Sequence, residues 1–361
     1  MTKNMIKWVA GVAVILSGAA GVQAAESVEA RLETLQAEID LLKAEQLKNK
    51  SALVEVIDQA TTGLEFGAAL EAEAFYGESG GESESDLTLA TAEFTVDAEI
   101  SEGINAHVGL LWEEDDTEEN NLDEAYVTFG ATDDIPYYLT LGKTYLPFGN
   151  FESVFISDPL TLELAELNES AALVGYANNI LQVVAGAFKG DSEEESALEN
   201  MVAAITLSPC NHFSAGAYWI SDLVETDGLE SFVDAEKQAG AGIFLNAQIG
   251  EVAVNAEFVT ALSDIETDAG EMKPYAYNIE ASLPVTEKLE MGVKYEGSDE
   301  FADLNAAGDA FEGKFADEQD GLVAAYAVND HVTVASEYLH AEGLDDDENG
   351  ELFTMQVALE F

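Results

Sequence analysis

The 361-residue chain carries 72 Asp and Glu residues against 13 Lys and Arg residues, which gives a formal net charge of -59 at pH 7. This balance excludes nucleic acid as a partner, because phosphate binding needs clustered basic side chains. Hydrophobic residues make up 47% of the chain and its mean hydropathy is +0.00, so the chain is not a disordered acidic tail. The single cysteine, Cys210, excludes an intramolecular disulfide.

The first residues predict a secretory signal peptide. Two lysines precede an apolar run over residues 8–20, and a small-residue cleavage motif ends at Ala24. The run is too short for a typical transmembrane helix, and no later stretch approaches about 20 continuous apolar residues. We therefore expect residues 1–24 to direct export, and we expect no spanning helix in the exported chain.

Residues 25–62 predict a periplasmic coiled-coil helix and a linker. Apolar residues alternate spacings of four and three, the a/d pattern of a short coiled coil, at Val28, Leu32, Leu35, Ile39 and Leu42. A helix of two to three heptads is marginal alone, so its association needs support from a neighbouring subunit interface. We expect a homo-oligomer, with a trimer favoured. The alternative is a solitary amphipathic helix that lies on the end of the β-barrel predicted for the following residues.

From Gly63 onward the period changes to two, which is typical of β-strands with one apolar face. The alternation is clearest over residues 64–76, 104–112, 241–249, 252–258, 275–283 and 289–295. Tyr and Trp tend to fall near strand ends, as the aromatic girdles of membrane barrels require. Residues 63–361 therefore predict an outer-membrane β-barrel.

The connections between these strands alternate in length. Seven short turns are expected near residues 101–103, 133–136, 177–179, 208–212, 250–251, 284–287 and 328–330. Eight longer connections are expected near residues 77–86, 114–121, 146–170, 190–198, 223–237, 263–273, 298–317 and 343–350. Fifteen connections give an antiparallel barrel of about 16 strands with both ends on the short-turn side. A barrel of this size encloses a water-filled lumen.

The last stretch alternates Phe353, Met355, Val357, Leu359 and Phe361 with mostly polar residues. In a closed barrel the last strand pairs with the first and turns an apolar face outward. We therefore assign barrel closure to this strand and to Phe361.

The opposite faces of the strands supply an acidic lumen. The acids expected to line it are Glu71, Glu73, Glu93, Asp97, Glu257, Glu280 and Glu290, and Glu296 and Glu337 share their inward register. Among the strands with clear alternation, only Lys294 opposes them. Such a one-sided charge favours the passage of cations.

The connection over residues 146–170 is too apolar to lie in water, and the barrel interior is the place available to bury it. Folded inward, it would narrow the channel and present Glu152, Asp158, Glu163 and Glu166 to the passage. A lid or a subunit contact on the outer surface is the alternative.

Residues 142–152, Gly-Lys-Thr-Tyr-Leu-Pro-Phe-Gly-Asn-Phe-Glu, and residues 156–164, Ile-Ser-Asp-Pro-Leu-Thr-Leu-Glu-Leu, resemble the LbtU-type siderophore porins. The signal peptide, the short coiled coil, the barrel and the terminal Phe361 agree with that family. The resemblance implies an outer-membrane porin that admits iron–siderophore complexes. Because many ferric siderophore complexes are anionic, a cationic or neutral complex fits this lumen better.

We therefore expect a non-enzymatic porin, with outer-membrane lipid, lipopolysaccharide and a ferric siderophore or other small cationic or neutral solute as partners. A general cation-selective porin is the alternative, and an outer-membrane hydrolase and a structural barrel are further ones. No catalytic residue, metal site or cofactor is expected. Weak surface binding of Ca²⁺ or Mg²⁺ at the acidic runs 113–119 and 191–195 stays open.

Overall fold

The structure of the chain is a computed structural model. It describes residues 63–79, 82–114, 121–132, 135–190, 198–229, 237–267, 270–299, 316–344 and 348–361. The expected signal peptide and the expected coiled-coil helix and linker lie outside these residues. Among the described residues, no helix is both long and apolar enough to cross a membrane.

The described chain is almost entirely β-structure. In chain order its strands are β1 (Leu64–Ser79), β2 (Glu82–Ser101), β3 (Ile104–Trp112), β4 (Leu122–Gly130), β5 (Tyr137–Tyr145), β6 (Asn168–Ala177), β7 (Leu181–Phe188), β8 (Asn200–Cys210), β9 (Phe213–Ile220), β10 (Gly240–Ile249), β11 (Val252–Ala261), β12 (Ile265–Thr267), β13 (Gly270–Met272), β14 (Tyr275–Pro284), β15 (Leu289–Asp299), β16 (Glu318–Asn329), β17 (Val332–Leu344) and β18 (Glu348–Glu360). A single described helix, α1 (Leu160–Ala165), lies between β5 and β6.

Sixteen of these strands form one closed antiparallel barrel, in which each strand pairs with its neighbours along the chain and β18 pairs with β1. The strands β12 and β13 form a separate small hairpin in the connection between β11 and β14. Closure is continued past β18 by two backbone hydrogen bonds: Ala68 N–H to Phe361 O at 2.8 Å and Phe361 N–H to Ala68 O at 3.1 Å. The predicted 16-stranded barrel is therefore confirmed.

The apolar face of the strands points out of the barrel. At the closing seam Leu70 faces Leu359 and Tyr76 faces Phe353 on the outer surface, while Glu73 faces Gln356 on the inner surface. Large apolar side chains are exposed along the outside, as shown by Phe66 at 54% and Ile243 at 60%. An exposed apolar belt is stable only against lipid, as in a membrane barrel.

The seven short turns fall where the sequence predicts them, and they define a short-turn end of the barrel. Two of the predicted long loops are wrong. The connection predicted over residues 77–86 is mostly strand, because β1 and β2 stay paired up to Ser79 and Glu82. Likewise β17 and β18 extend into the connection predicted over residues 343–350. These strands continue as hairpins beyond the level at which their apolar alternation stops.

Candidate functional site

The segment between β5 and β6, residues 146–167, folds into the barrel; it is called the inner loop below. It leaves the wall where Leu146 N–H bonds to Leu167 O at 2.9 Å, so both ends of the loop lie side by side. Positive φ angles at Gly149 (130°) and Phe151 (49°) turn the chain away from the wall. The helix α1 follows before the chain returns to β6. The inner loop contacts inward-facing side chains of the opposite wall, and the alternative of an outer lid or subunit contact is therefore wrong.

A row of buried wall carboxylates holds the inner loop. It begins on β11 with Glu257, which is 8% exposed. One of its oxygens accepts the backbone N–H of Asn150 at 2.7 Å, and the other accepts that of Phe151 at 3.0 Å and the Thr161 hydroxyl at 3.2 Å. Tyr218 donates its hydroxyl to the same carboxylate at 2.6 Å. These bonds satisfy a charge that would be costly to bury alone.

The row continues around the barrel to β14 and β17. Glu280 accepts the Ser153 hydroxyl at 2.8 Å and the Val154 N–H at 3.1 Å. Glu337 accepts the Ile156 N–H at 2.7 Å and both the N–H (3.2 Å) and the hydroxyl (2.6 Å) of Ser157. Each carboxylate thus receives consecutive donors of the loop, which fixes the path of its backbone.

The fourth carboxylate, Glu296 on β15, accepts the backbone N–H of Leu160 at 2.9 Å. It also forms a fully buried ion pair with Lys294, at 2.7 Å between Oε1 and Nζ. The Lys294 ammonium lies 4.9 Å from the centre of the Phe155 ring, within cation–π distance. The positive charge predicted to oppose the lumen acids is therefore used to hold the loop.

Apolar packing completes the attachment of the inner loop. Phe148 is 1% exposed, and its ring meets that of Tyr218 edge-on at 5.1 Å. Leu160, Leu164 and other loop residues join a buried cluster with inward-facing residues of β6–β9, β11 and β14. Burying each large apolar side chain contributes about 1.5–3 kcal/mol. The loop is thus an integral part of the barrel interior.

A second segment packs on the helix of the inner loop. The segment of residues 221–229, which follows β9, buries Leu223, Val224 and Leu229 in the same cluster. The backbone N–H of Asp227 donates to Glu166 O at 3.0 Å. The acids expected to face the passage at this end, Glu163 and Glu166, therefore lie beside this segment instead.

Burial, followed by the negative charges of Asp227 and Asp158, raises the pKa of Glu166 from its ordinary value of 4.5 to about 8. Glu166 lies on the inner loop, outside the barrel strands. A carboxyl with this pKa is mostly protonated at neutral pH. It therefore adds little charge to the passage under those conditions.

The other two predicted loop acids are open to the lumen. Asp158 is exposed at the far end of the loop, within electrostatic reach of Lys294 and of the acids Glu337, Glu71 and Glu73. Glu152 is also exposed and lines two cavities on the side of β8–β11. The structure therefore separates the four predicted acids into two open and two packed ones.

The predicted wall acids also fall into two groups. Among the open ones, Glu73 accepts the Gln356 amide at 2.9 Å, Asp97 contacts His107 Nδ1 at 2.8 Å, and Glu290 accepts the Ser282 hydroxyl at 2.8 Å. Glu71 and Glu93 are half-buried on the same inner surface. Glu257 and Glu280 point inward as predicted, but they do not line the passage, because the inner loop covers them. Their role as loop acceptors was missed.

Within the described ranges, no group of three or more His, Cys, Asp or Glu side chains could hold a metal ion. The two acidic runs considered for weak surface binding fall mostly outside those ranges, since residues 115–120 and 191–197 are not described. Binding of Ca²⁺ or Mg²⁺ at these runs stays a prediction.

No protein-family model matches the chain. It is similar to a UPF0422 protein of Legionella pneumophila strain Philadelphia 1, with 25% identity over 163 residues, which cover 41% of this chain and 31% of the relative. It is also similar to a UPF0422 protein of Coxiella burnetii, with 23% identity over 242 residues, which cover 60% of this chain and 52% of the relative. The chain thus spans about a third and about half of the length of these relatives.

Solved structures show the same fold at low sequence identity. The outer-membrane channel DcaP of Acinetobacter baumannii matches with a TM-score of 0.58 and 13% identity, over 82% of this chain and 97% of that one. An anion-selective porin of Comamonas acidovorans matches with a TM-score of 0.58 and 12% identity, over 82% of this chain and 99% of that one. The chain therefore has the fold of porins. Its closed 16-stranded barrel with an exposed apolar belt belongs in the bacterial outer membrane.

Proposed function

We propose that this chain is an outer-membrane porin whose passage favours small cations. The observation that carries the proposal is the charge at the inner loop: Asp158 is exposed on the loop, and the nearby wall presents Glu71 and Glu73. Acids on both sides of a narrow passage attract cations and repel anions, because the low-dielectric walls strengthen their field. We infer that the passage runs between the end of the inner loop and strand β1, because Asp158 lies within electrostatic reach of Glu71 and Glu73.

Lys294 attracts Asp158 and offsets part of its charge. Lys294 is fully buried and is matched by Glu296. His107 lies between Asp97 at 2.8 Å and Glu124 at 3.6 Å, so acids also surround it. The porin of Comamonas acidovorans is described as anion-selective. Since it shares the fold of this chain, selectivity depends on the residues of the passage rather than on the barrel.

The resemblance of residues 142–164 to siderophore porins supports a more specific cargo, iron–siderophore complexes. The acidic passage favours a neutral or cationic complex over an anionic one. A general cation-selective porin is the simpler candidate, and the acids at the inner loop support it equally. Lipopolysaccharide and outer-membrane lipid are the expected surroundings of the barrel.

Single-channel recording of the purified chain in a KCl gradient tests the proposal. We expect a reversal potential with the sign of a cation-selective channel. We also expect cationic or neutral ferric complexes to block part of the current, and anionic complexes to leave it unchanged. An anion-selective reversal potential would contradict the proposal. Cation selectivity without any effect of ferric complexes would favour the general porin, and a barrel without current would favour a structural role.

The expected homo-oligomer, with a trimer favoured, rests on the heptad pattern of residues 28–42. A charge at the centre of this apolar seam would be buried at a large cost. Leu35→Asp should therefore weaken the association of purified subunits, as measured by light scattering. If this variant and a truncation of residues 26–50 both remain fully oligomeric, the helix has another role.

A further inference from the structure

The inner wall changes character between β7 and β11. Beneath the inner loop, this arc presents amides and hydroxyls to the lumen, whereas β1 and β2 present Glu71, Glu73, Glu93 and Asp97. The inward residues of the arc include Gln182, Thr206, Ser208, Ser214 and Asn246. Glu257 on β11 is covered by the inner loop, and the wall adds no acid to the linings described below. In a chain with a net charge of -59, such a wall is a distinct surface. It is called the neutral arc below.

Two adjoining cavities lie between the neutral arc and the inner loop. Their volumes are about 350 and 360 Å³, and both are lined by Glu152, Ser208, Ser214 and Asn246. The first is also bordered by the aromatic side chain of Phe244. Each volume falls at the lower end of the range of small-molecule sites, about 300–1,000 Å³. Together they form a groove beside the path of a permeating solute.

Several groups of this groove are available to a ligand. The side chains of Thr206, Ser208 and Ser214 and the carboxylate of Glu152 bond to no other group within the described part of the chain. Asn246, by contrast, is held by its amide, which donates to Asn150 Oδ1 at 2.7 Å. The groove therefore offers three free hydroxyls and one free carboxylate on a fixed frame.

We propose that this groove binds a small, hydroxyl-rich solute with one ammonium group, in other words an amino sugar, during its passage. Hydroxyls of the wall both donate and accept, so they match the hydroxyls of a sugar. The single open carboxylate pairs with a single cationic group. The apolar face of a sugar ring packs on an aromatic side chain such as Phe244. The proposal rests on the proposed channel function and names a solute class for it.

The test compares glucosamine with N-acetylglucosamine, which keeps the hydroxyls and ring but lacks the charge. Each sugar is added to the full chain in planar bilayers at about pH 6, where the amine is protonated, and the current block is titrated. We expect glucosamine to bind about tenfold more tightly, which is the effect of one hydrogen bond to a charged group. Equal affinities of the two sugars for the unaltered chain would overturn the proposal.

Two variants locate the site. Glu152→Gln should lower the affinity for glucosamine about tenfold and leave that for N-acetylglucosamine unchanged. The double variant Thr206→Val with Ser214→Ala should lower the affinity of the chain for both sugars. The matched controls are Glu102→Gln, on an exposed short turn, and Thr128→Val, on β4 outside the groove. An unchanged glucosamine affinity in Glu152→Gln would place the site elsewhere and overturn the proposal.

The failure of this proposal can be told apart from the failure of the channel function. Ion current without sugar tests the channel alone. Calorimetric titration of the detergent-solubilised chain with glucosamine tests the groove, whether or not the barrel conducts. A cation-conducting barrel without glucosamine binding would refute the groove and keep the channel.

Discussion

Ser157 Oγ donates a 2.6 Å hydrogen bond to Glu337 Oε1, which joins the inner loop to strand β17 across 180 positions of the sequence. The other oxygen of the same carboxylate accepts the backbone N–H of Ile156 and of Ser157. Hydrogen bonds to a charged acceptor are about twice as strong as neutral ones. A single wall side chain therefore fixes the position of this part of the loop.

Replacing this carboxylate should release the loop. In Glu337→Gln, one oxygen becomes an amide group that faces the N–H and hydroxyl donors of the loop, so at least one hydrogen bond is lost. We expect a loss of about 1–3 kcal/mol in the free energy of unfolding and more open-channel current noise. Urea unfolding in lipid and single-channel recording measure the two effects. Glu351→Gln on the adjacent strand is the control; equal noise in both variants would contradict this role of Glu337.

Removing the exposed loop charge should weaken the preference for cations. Asp158→Asn keeps the shape of the side chain but removes the charge that faces Glu71 and Glu73. We expect the reversal potential in a KCl gradient to move toward zero without loss of the folded barrel. Glu251→Gln, on the exposed turn between β10 and β11, should leave the reversal potential unchanged. A reversal potential unaffected by Asp158→Asn would move the selective region away from the inner loop.

The protonation of Glu166 should make the stability of the barrel depend on pH. Its pKa is raised from 4.5 to about 8 in the folded chain. Between these values the folded chain binds the proton more tightly than the unfolded chain, so stability falls as the pH rises. We expect a lower melting temperature at pH 9 than at about pH 6. Glu166→Gln should reduce this difference, and Glu102→Gln should keep it; an identical pH dependence in Glu166→Gln would contradict the prediction.

A methyl group at Gly149 should distort the start of the inner loop. Gly149 has a φ of 130°, and a Cβ at this position would overlap the Phe151 ring. Gly250 supplies a matched control, because it also has a positive φ, 67°, but open space around it. The backbone alone costs Gly250→Ala about 1–2 kcal/mol and Gly149→Ala, whose φ lies outside the left-handed helical region, about 1–3 kcal/mol. We expect Gly149→Ala to lose more stability than Gly250→Ala in urea unfolding; equal losses would show that the ring moves aside.

Most of the barrel could be predicted from the sequence, because the alternation that assigns strand faces and turns involves only residues close together in the chain. Alternation at period two assigns the inward and outward faces, and residues between alternating runs mark the turns. The inward position of Glu257, Glu280 and Glu337 follows from the same rule. Their role does not, because a carboxylate open to water and one bonded to a loop N–H have the same local sequence. The donors, such as Asn150 for Glu257, lie about 100 positions away.

The two loops that were wrongly predicted have a related cause. Residues 77–86 and 343–350 are rich in Gly, Ser and acids, which are typical of loops. Beyond the lipid a strand no longer needs an apolar face, so its alternation stops while its backbone pairing continues. Gly77 still pairs with Glu84, and Ala341 with Gly350. The end of an apolar pattern therefore marks the edge of the membrane rather than the end of the strand.

The bonds between Ala68 and Phe361 also constrain how the barrel can form. They join the two most distant parts of the described strands, so chain entropy opposes this pairing until the intervening strands have assembled. Until then β1 and β18 each present an unpaired edge, which is prone to wrong pairing. Folding should therefore end with the sealing of this seam, and its rate should fall when the β1–β18 pairing is weakened.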